Sequence, residues 1–319
     1  QALGSAMTAR TRAGKVQLPF VFGRAELHVG DCLEWLREAP EKSISAVVTD
    51  PPYGLHEYTE EQQAKLRAGR GGVWRMPPSF DGNRRAPLPR FTTMSQADLE
   101  ELHEFFLTWA RALRPTLLPG AHVMLACNPL VSPYISTALG RAGLERRGEI
   151  VRLVQTMRGG DRPKNAHEEF GDVSVMARSQ WEPWLLYREP IETRTVADNL
   201  RKYKTGGLRR ISDQLPFGDV IKSSPTPKKE RELAGHPSLK PQSFLRAVVR
   251  AALPLGEGVV LDPFAGSGST LAAAEAVGYQ SIGIERDPVY AQIAQDAIGK
   301  LSKLVVPAAD VVGAPIAAT

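Results

Sequence analysis

The chain is poor in the residues that staple, chelate or anchor a protein. Its 319 residues include two cysteines, Cys32 and Cys127, too few for a disulfide framework. Six histidines stand far apart at His28, His56, His103, His122, His167 and His236, so no metal-ligand spacing of His and Cys occurs and no metal is expected. No apolar run approaches the roughly 18 to 20 residues that a membrane-spanning helix needs. A reducing cytoplasm is the expected compartment. Internal repeats are absent, as are motifs of a nuclease or a helicase. No Lys follows the glycine-rich turn near residue 266, which disfavours a triphosphate-binding loop.

What is there suits a globular α/β protein: 42% hydrophobic residues, 24% charged, and a length that accommodates one large domain with an insertion. The net charge of +5 fits a polyanionic partner, although the position of the bases says more than their sum. Residues 1–14 read as a tag remnant and a disordered N-terminus. Strand and helix patterns then alternate: strands at Ala25–Val29, Ile44–Thr49, Ala121–Cys127, Glu149–Val154, Pro183–Tyr187, Val259–Leu261 and Ser281–Ile284. Helices are predicted over Cys32–Glu38, from a Ser95 cap to Leu113, and over Pro133–Arg141, Pro241–Ala252, Thr270–Val277 and Pro288–Leu301. Such alternation predicts a mostly parallel, twisted sheet with helices on both faces. Periodicity fails in 55–93, an Arg-rich stretch expected to be a mobile loop, in 188–235, and after 305, a loosely ordered tail.

Ligands of parallel sheets bind beyond the carboxyl ends of the strands, and two predicted ends carry unusual chemistry. One is Asp50-Pro51-Pro52-Tyr53. The other is Asp262-Pro263-Phe264-Ala265-Gly266-Ser267-Gly268, where glycines let a ligand approach the backbone at a helix N-terminus. Glu285 closes the next strand, from which an acid can hold ribose hydroxyls, so the pair points to a nucleoside cofactor. The bland alternatives are a tight turn and a solvated acid.

"DPFAGSGST" preceded by "GHPSLKPQSFLRAVVRAALPLGEGVVL" and followed by "IGIERDPVY", with "DPPYG" far upstream, resembles the S-adenosylmethionine-dependent amino-methyltransferases of DNA. The order of DPPY first, a variable segment next and the cofactor half last is similar to that family's beta group. The resemblance covers about Glu26 to Leu301. It implies a circularly permuted Rossmann-like fold with three parts: a catalytic half in 15–154, a target-recognition insertion in 155–235 with a core strand near 183–187, and a cofactor half in 236–304. It further implies S-adenosylmethionine along Pro263 to Gly268, with Asp262 toward its amino-acid portion and Glu285 toward its ribose. Asp31 matches the acid near the cofactor's adenine and is equally a helix N-cap. Lys240, with His236, is a candidate for the methionine carboxylate or a solvated loop lysine.

The clamp has a physical logic of its own. An exocyclic amine is a poor nucleophile because its lone pair is delocalised into the ring. Asp50 and the Pro51 carbonyl can each accept one N–H and aim that lone pair, while Pro51 and Pro52 fix the turn and remove competing donors. Tyr53 offers a stacking face for a flipped base. The resemblance ties an Asp at the first position to adenine N6, with cytosine N4 as the alternative, since both amines present the same two hydrogens. Double-stranded DNA is the expected partner, read by Arg201, Lys202, Lys204, Arg209 and Arg210, unless these form an ordinary solvated face. Trp181 and Trp184 are expected in the core. A homodimer and a separate restriction endonuclease are further partners the resemblance allows. An RNA methyltransferase and a non-catalytic DNA-binding protein are the rival readings.

Overall fold

The computed structural model describes residues 9–10, 16–52, 95–154, 160–163, 165–235 and 239–311. Tyr53, the 55–93 stretch and His236 lie outside these. Strands β1 (Ala9–Arg10) and β2 (Val16–Gln17) pair in a short ladder of their own, within and beside the segment expected to lack order. Strands β3 (Phe20–Phe22) and β4 (Ala25–Val29) lead into helix α1 (Cys32–Glu38) and strand β5 (Ile44–Thr49). Helix α2 (Gln96–Leu113), strand β6 (Leu117–Ala126), helix α3 (Ser132–Arg141), and strands β7 (Glu145–Leu153) and β8 (Trp181–Arg188) follow. Helix α4 (Val196–Tyr203), strand β9 (Val220–Lys222) and helix α5 (Lys228–Leu233) lead to helix α6 (Gln242–Ala252). The chain continues through strand β10 (Val259–Asp262), helix α7 (Ser269–Val277), strand β11 (Gln280–Glu285), helix α8 (Pro288–Ser302) and strand β12 (Asp310–Val311).

Among the described residues ten strands form one sheet, in the order β12-β9-β7-β8-β6-β5-β10-β11-β4-β3. The five from β6 to β4 are parallel, and β8 runs against both β6 and β7. Strands β10 and β11, late in the sequence, stand between β5 and β4, which is the permuted connectivity. Every side chain of β5 is buried because both faces are covered. Val47 packs with Trp35, Phe106, Trp109 and Ile135 from α1, α2 and α3; Ala46 and Val48 pack with Phe244 and Val248 of α6 and Ala273 of α7.

Local chemistry sets the element ends. Ser95 caps α2 reciprocally with Asp98: the Asp98 N–H donates to Ser95 Oγ (3.2 Å) and the Ser95 N–H to Asp98 Oδ2 (2.7 Å). Two expectations need correction. The stretch 188–235 holds α4, β9 and α5, whose buried anchors are polar, Asn199 in α4 and Glu230 in α5, and so leave no apolar period to read. Trp184 is fully buried against Phe244, whereas Trp181 is 37% exposed at the start of β8. Within the tail, β12 pairs with β9.

Candidate active site

The parallel pairing of β5, β10, β11 and β4 brings their carboxyl ends side by side, and with them most of the residues singled out from the sequence. After Asp262 the chain turns through Gly266 (φ 52°) and Gly268 (φ 78°) into α7. A Cβ on Gly268 would stand 2.7 Å from Ile298 Cγ1, so the turn both needs the left-handed conformation and lies tight against α8. The Ala265 N–H donates to Ile284 O (2.9 Å), and Phe264 stacks obliquely on Trp109, with ring centroids 5.9 Å apart. Pro263 and Ser267 are buried within the turn.

Glu285 accepts from the Gly266 N–H (2.7 Å) and the Asp287 N–H (2.8 Å). Burial pushes its carboxyl up, against the pull of those donors. The Gly30 N–H donates to Glu285 O (2.9 Å), tying down the end of β4. Asp31 follows and caps α1, accepting from the N–H groups of Leu33 (2.8 Å) and Glu34 (3.2 Å). Its N-cap role is thus realised. Asp262 departs from expectation: its carboxylate turns inward, accepting from Thr49 Oγ1 (2.6 Å), the Phe264 N–H (3.2 Å) and Thr270. Burial pushes this group up to about 6 despite the donors, and nearby Asp50 adds to the rise.

Asp50 leaves β5 one strand away, followed by buried Pro51 and exposed Pro52. Its Oδ2 is 2.5 Å from Nζ of Lys240, a buried lysine just before α6. Lys240 therefore meets the first residue of the clamp directly. Lys240 Nζ is also 3.2 Å from Glu182 Oε1, and Glu182 Oε2 is 2.9 Å from Arg152 Nη1. Arg152 is anchored in turn, donating to Ser223 Oγ and the Ser224 carbonyl (both 3.0 Å) with its guanidinium over the Phe244 ring. Burial alone would discharge Lys240, but Asp50 and Glu182 outweigh it and raise its affinity for the proton. Burial likewise works against the Glu182 charge, and Lys240 with Arg152 holds that carboxyl below its usual range. Glu182, Arg152, Thr49 and Thr270 were missed in the sequence. Arg152, inside the apolar run "IVRLV", was the legible signal, because a charge in a buried strand requires a partner.

The basic block does not face this site. Asn199 of α4 donates to Pro119 O (2.8 Å) near the start of β6, and the Arg209 N–H donates to Ala251 O (2.9 Å) at the end of α6. Those are the amino ends of the parallel strands, and six residues of β5 separate them from Asp50 by about 20 Å. The side chains have local partners as well. Arg201 pairs with Asp198 (2.7 Å), Lys202 lies over the Tyr203 ring and Arg209 donates to Tyr279 OH (2.7 Å); Arg210 donates weakly to Ser212 O (3.3 Å), and Lys204 ends α4 at a φ of 65°. The reason is the reversed β8, which carries the chain from the clamp end to the opposite end before α4 forms. The clamp end is instead flanked by the segment between β7 and β8, which folds back on itself through Val175 N–H to Asp161 O (2.8 Å) and exposes Arg162 and Arg178.

Comparison with known proteins identifies the family. The family described as "DNA methylase", of N6/N4 methyltransferases, matches residues 44–296. The chain belongs to this DNA methylase family. Its curated relatives include the Type II methyltransferase M.HindIII of Haemophilus influenzae, 23% identical over 298 residues, 86% of this chain and 94% of the relative. The Type II methyltransferase M2.DpnII of Streptococcus pneumoniae is 24% identical over 269 residues, 83% and 86% of the two chains. Among solved structures, PvuII DNA methyltransferase, described as cytosine-N4-specific, superposes with a TM-score of 0.53 at 18% identity, covering 88% of this chain and 91% of its own. M1.HpyAVI in complex with SAM gives 0.52 at 17% identity, covering 88% and 100%. The methylase fold is thus shared over nearly the whole chain. Among the described residues no group of His, Cys, Asp and Glu could hold a metal ion, and no helix is long and apolar enough to cross a membrane.

Proposed function

We propose that this DNA methylase transfers the methyl group of S-adenosylmethionine to the exocyclic N6 amine of an adenine flipped out of duplex DNA. The observation that carries the reading is the adjacency of the Asp50 turn on β5 to the Glu285 and Gly266 cradle on β10 and β11. The cradle's chemistry fits the cofactor. Its side chains are the carboxylates of Asp31 and Glu285 beside backbone N–H groups, which suits a ligand rich in hydroxyl, ammonium and sulfonium groups and not a phosphate. Glu285 would hold the ribose, the backbone from Pro263 to Gly268 would lie along the cofactor, and Asp31 would flank the adenine. Bound there, S-adenosylmethionine supplies an electrophilic methyl group with its own leaving group, so the protein's task is placement more than base strength.

Placement falls to the clamp. Asp50 and the Pro51 carbonyl each take one amine hydrogen and pull the nitrogen toward tetrahedral geometry, with Tyr53 as the stacking face. The resemblance associates an Asp in the first clamp position with adenine, and that supports N6 as the first reading. Cytosine N4 is the second reading, supported by the likeness to the cytosine-N4-specific PvuII structure. Duplex DNA would approach the carboxyl ends of the strands, where the target must be flipped to reach Asp50.

Incubation with labelled S-adenosylmethionine and unmethylated genomic DNA, digestion to nucleosides and mass spectrometry tests the reading. Label on adenine N6 is expected, and Asp50→Ala should abolish it while cofactor binding by calorimetry persists. Label on cytosine N4 would reassign the base. Label on neither, with RNA as acceptor or with no acceptor, would overturn the proposal.

A further inference from the structure

Asp50, Lys240, Glu182 and Arg152 form a row of alternating charge reaching from the clamp into the sheet. The four come from separate places: the end of β5, the segment before α6, the start of β8 and the body of β7. Side-chain exposures of 17%, 9%, 19% and 7% mean that each member depends on its neighbours for charge compensation. Arg152, the innermost, is fixed by Ser223, Ser224 and Phe244, so the row is anchored at the end remote from the substrate.

We infer that Lys240 is a positioning residue of the amine clamp, held on Asp50 by the Glu182–Arg152 pair. The inference rests on the proposed methyl transfer and deepens it. An aspartate at the end of a strand can turn about two side-chain torsions, and a swing of the carboxylate by an ångström would spoil the alignment of the amine lone pair. The Lys240 ammonium on Oδ2 restrains that swing and presents the carboxylate to the amine N–H in one orientation. Lys240 is itself placed by Glu182, since a lysine side chain carries too many rotamers to hold one geometry unaided. Arg152 performs the same service for Glu182. The row explains why a buried strand carries an arginine and why "WEPW" opens β8 with an acid.

The test separates this role from cofactor binding. With the full-length enzyme, Lys240→Met should lower kcat for DNA methylation about 100-fold. Its dissociation constant for S-adenosylmethionine by calorimetry should stay within about twofold, well inside the tenfold that one ordinary contact commands. Lys240→Arg, which keeps a cation in the row, should recover a substantial part of the lost kcat. Because Lys240→Met leaves Glu182 short of a partner, the double variant Lys240→Met/Glu182→Gln is measured beside it. That pair removes one charge of each sign and should fold, with the same low kcat and normal cofactor affinity. A rise in the cofactor dissociation constant with saturating kcat preserved would assign Lys240 to the cofactor and overturn the inference, as would unchanged kcat in a folded variant. Wild-type enzyme that methylates no DNA amine would remove the proposed function itself, an outcome visible before any variant is made.

Discussion

At the scale of single residues the site is a set of carboxylates given different work by their surroundings. Asp31 is spent on a helix N-terminus, Glu285 on the backbone of the glycine turn, and Asp262 is buried with two threonines. Asp262 has a measurable consequence. An acid whose carboxyl is raised in the folded state adds stability when protonated, and loses that stability as the pH climbs. The window runs from its ordinary 3.8 to about 6, a difference worth about 3 kcal/mol. Thermal melts should therefore show the wild type losing ground to Asp262→Asn between pH 4 and pH 7. A difference in melting temperature that stays constant across that range would contradict the burial of an ionising group. Residue-level chemistry was also the most legible in the sequence. Asp50, Gly266, Gly268 and Glu285 could be singled out because their types are odd at a strand end. Glu182 could not, because an acid at the start of a strand looks solvated until the lysine that meets it, 58 positions further along the chain, is seen in space.

Among the elements, the regular ones were readable and the polar-anchored ones were not. Helix α2 announced itself by a capping box and an apolar stripe, and β5 by a β-branched run. Helix α4 is fixed by Asn199 reaching Pro119 O and Thr205 O, contacts that no hydrophobic period encodes. The junction of β10 and α7 is the element on which the cradle depends. Gly268→Ala would place a methyl group 2.7 Å from Ile298 in a left-handed backbone. Overpacking costs about 1 to 3 kcal/mol, and the conformation adds about 1 to 2. Urea unfolding should register a loss of about 2 to 5 kcal/mol through the midpoint with little change in slope. Wild-type stability in that variant would mean that α8 moves aside without cost.

The whole molecule has two ends, and the reversal of β8 decides which segments reach each. Clamp and cradle occupy the carboxyl end of the sheet, and the bases from Arg201 to Arg210 the amino end. Their place in the segment that the resemblance assigns to target recognition had suggested that those bases contact DNA, and strand direction, which that reading did not include, sets them at the opposite end of the sheet from Asp50. Neutralising Arg201, Lys202 and Lys204 together should leave DNA affinity and its salt dependence unchanged, whereas Arg162→Ala with Arg178→Ala should flatten the salt slope. Binding isotherms between 50 and 200 mM salt would report both. A reduced slope in the first variant would place DNA around the far end of the sheet.

The permuted strand order also has a consequence for synthesis. Strands β4 and β5 are made early and are separated in the sheet by β10 and β11, which end at Glu285. Until that residue leaves the ribosome, β4 and β5 each lack the neighbouring strand that satisfies the N–H and C=O groups along one edge. The gap between β4 and β5 is thus closed by the same segment that carries Gly266 and Glu285. A chain truncated before β10 would carry Asp50 at the end of a strand with one edge unpaired, so closure of the sheet around β5 waits for β10 and β11.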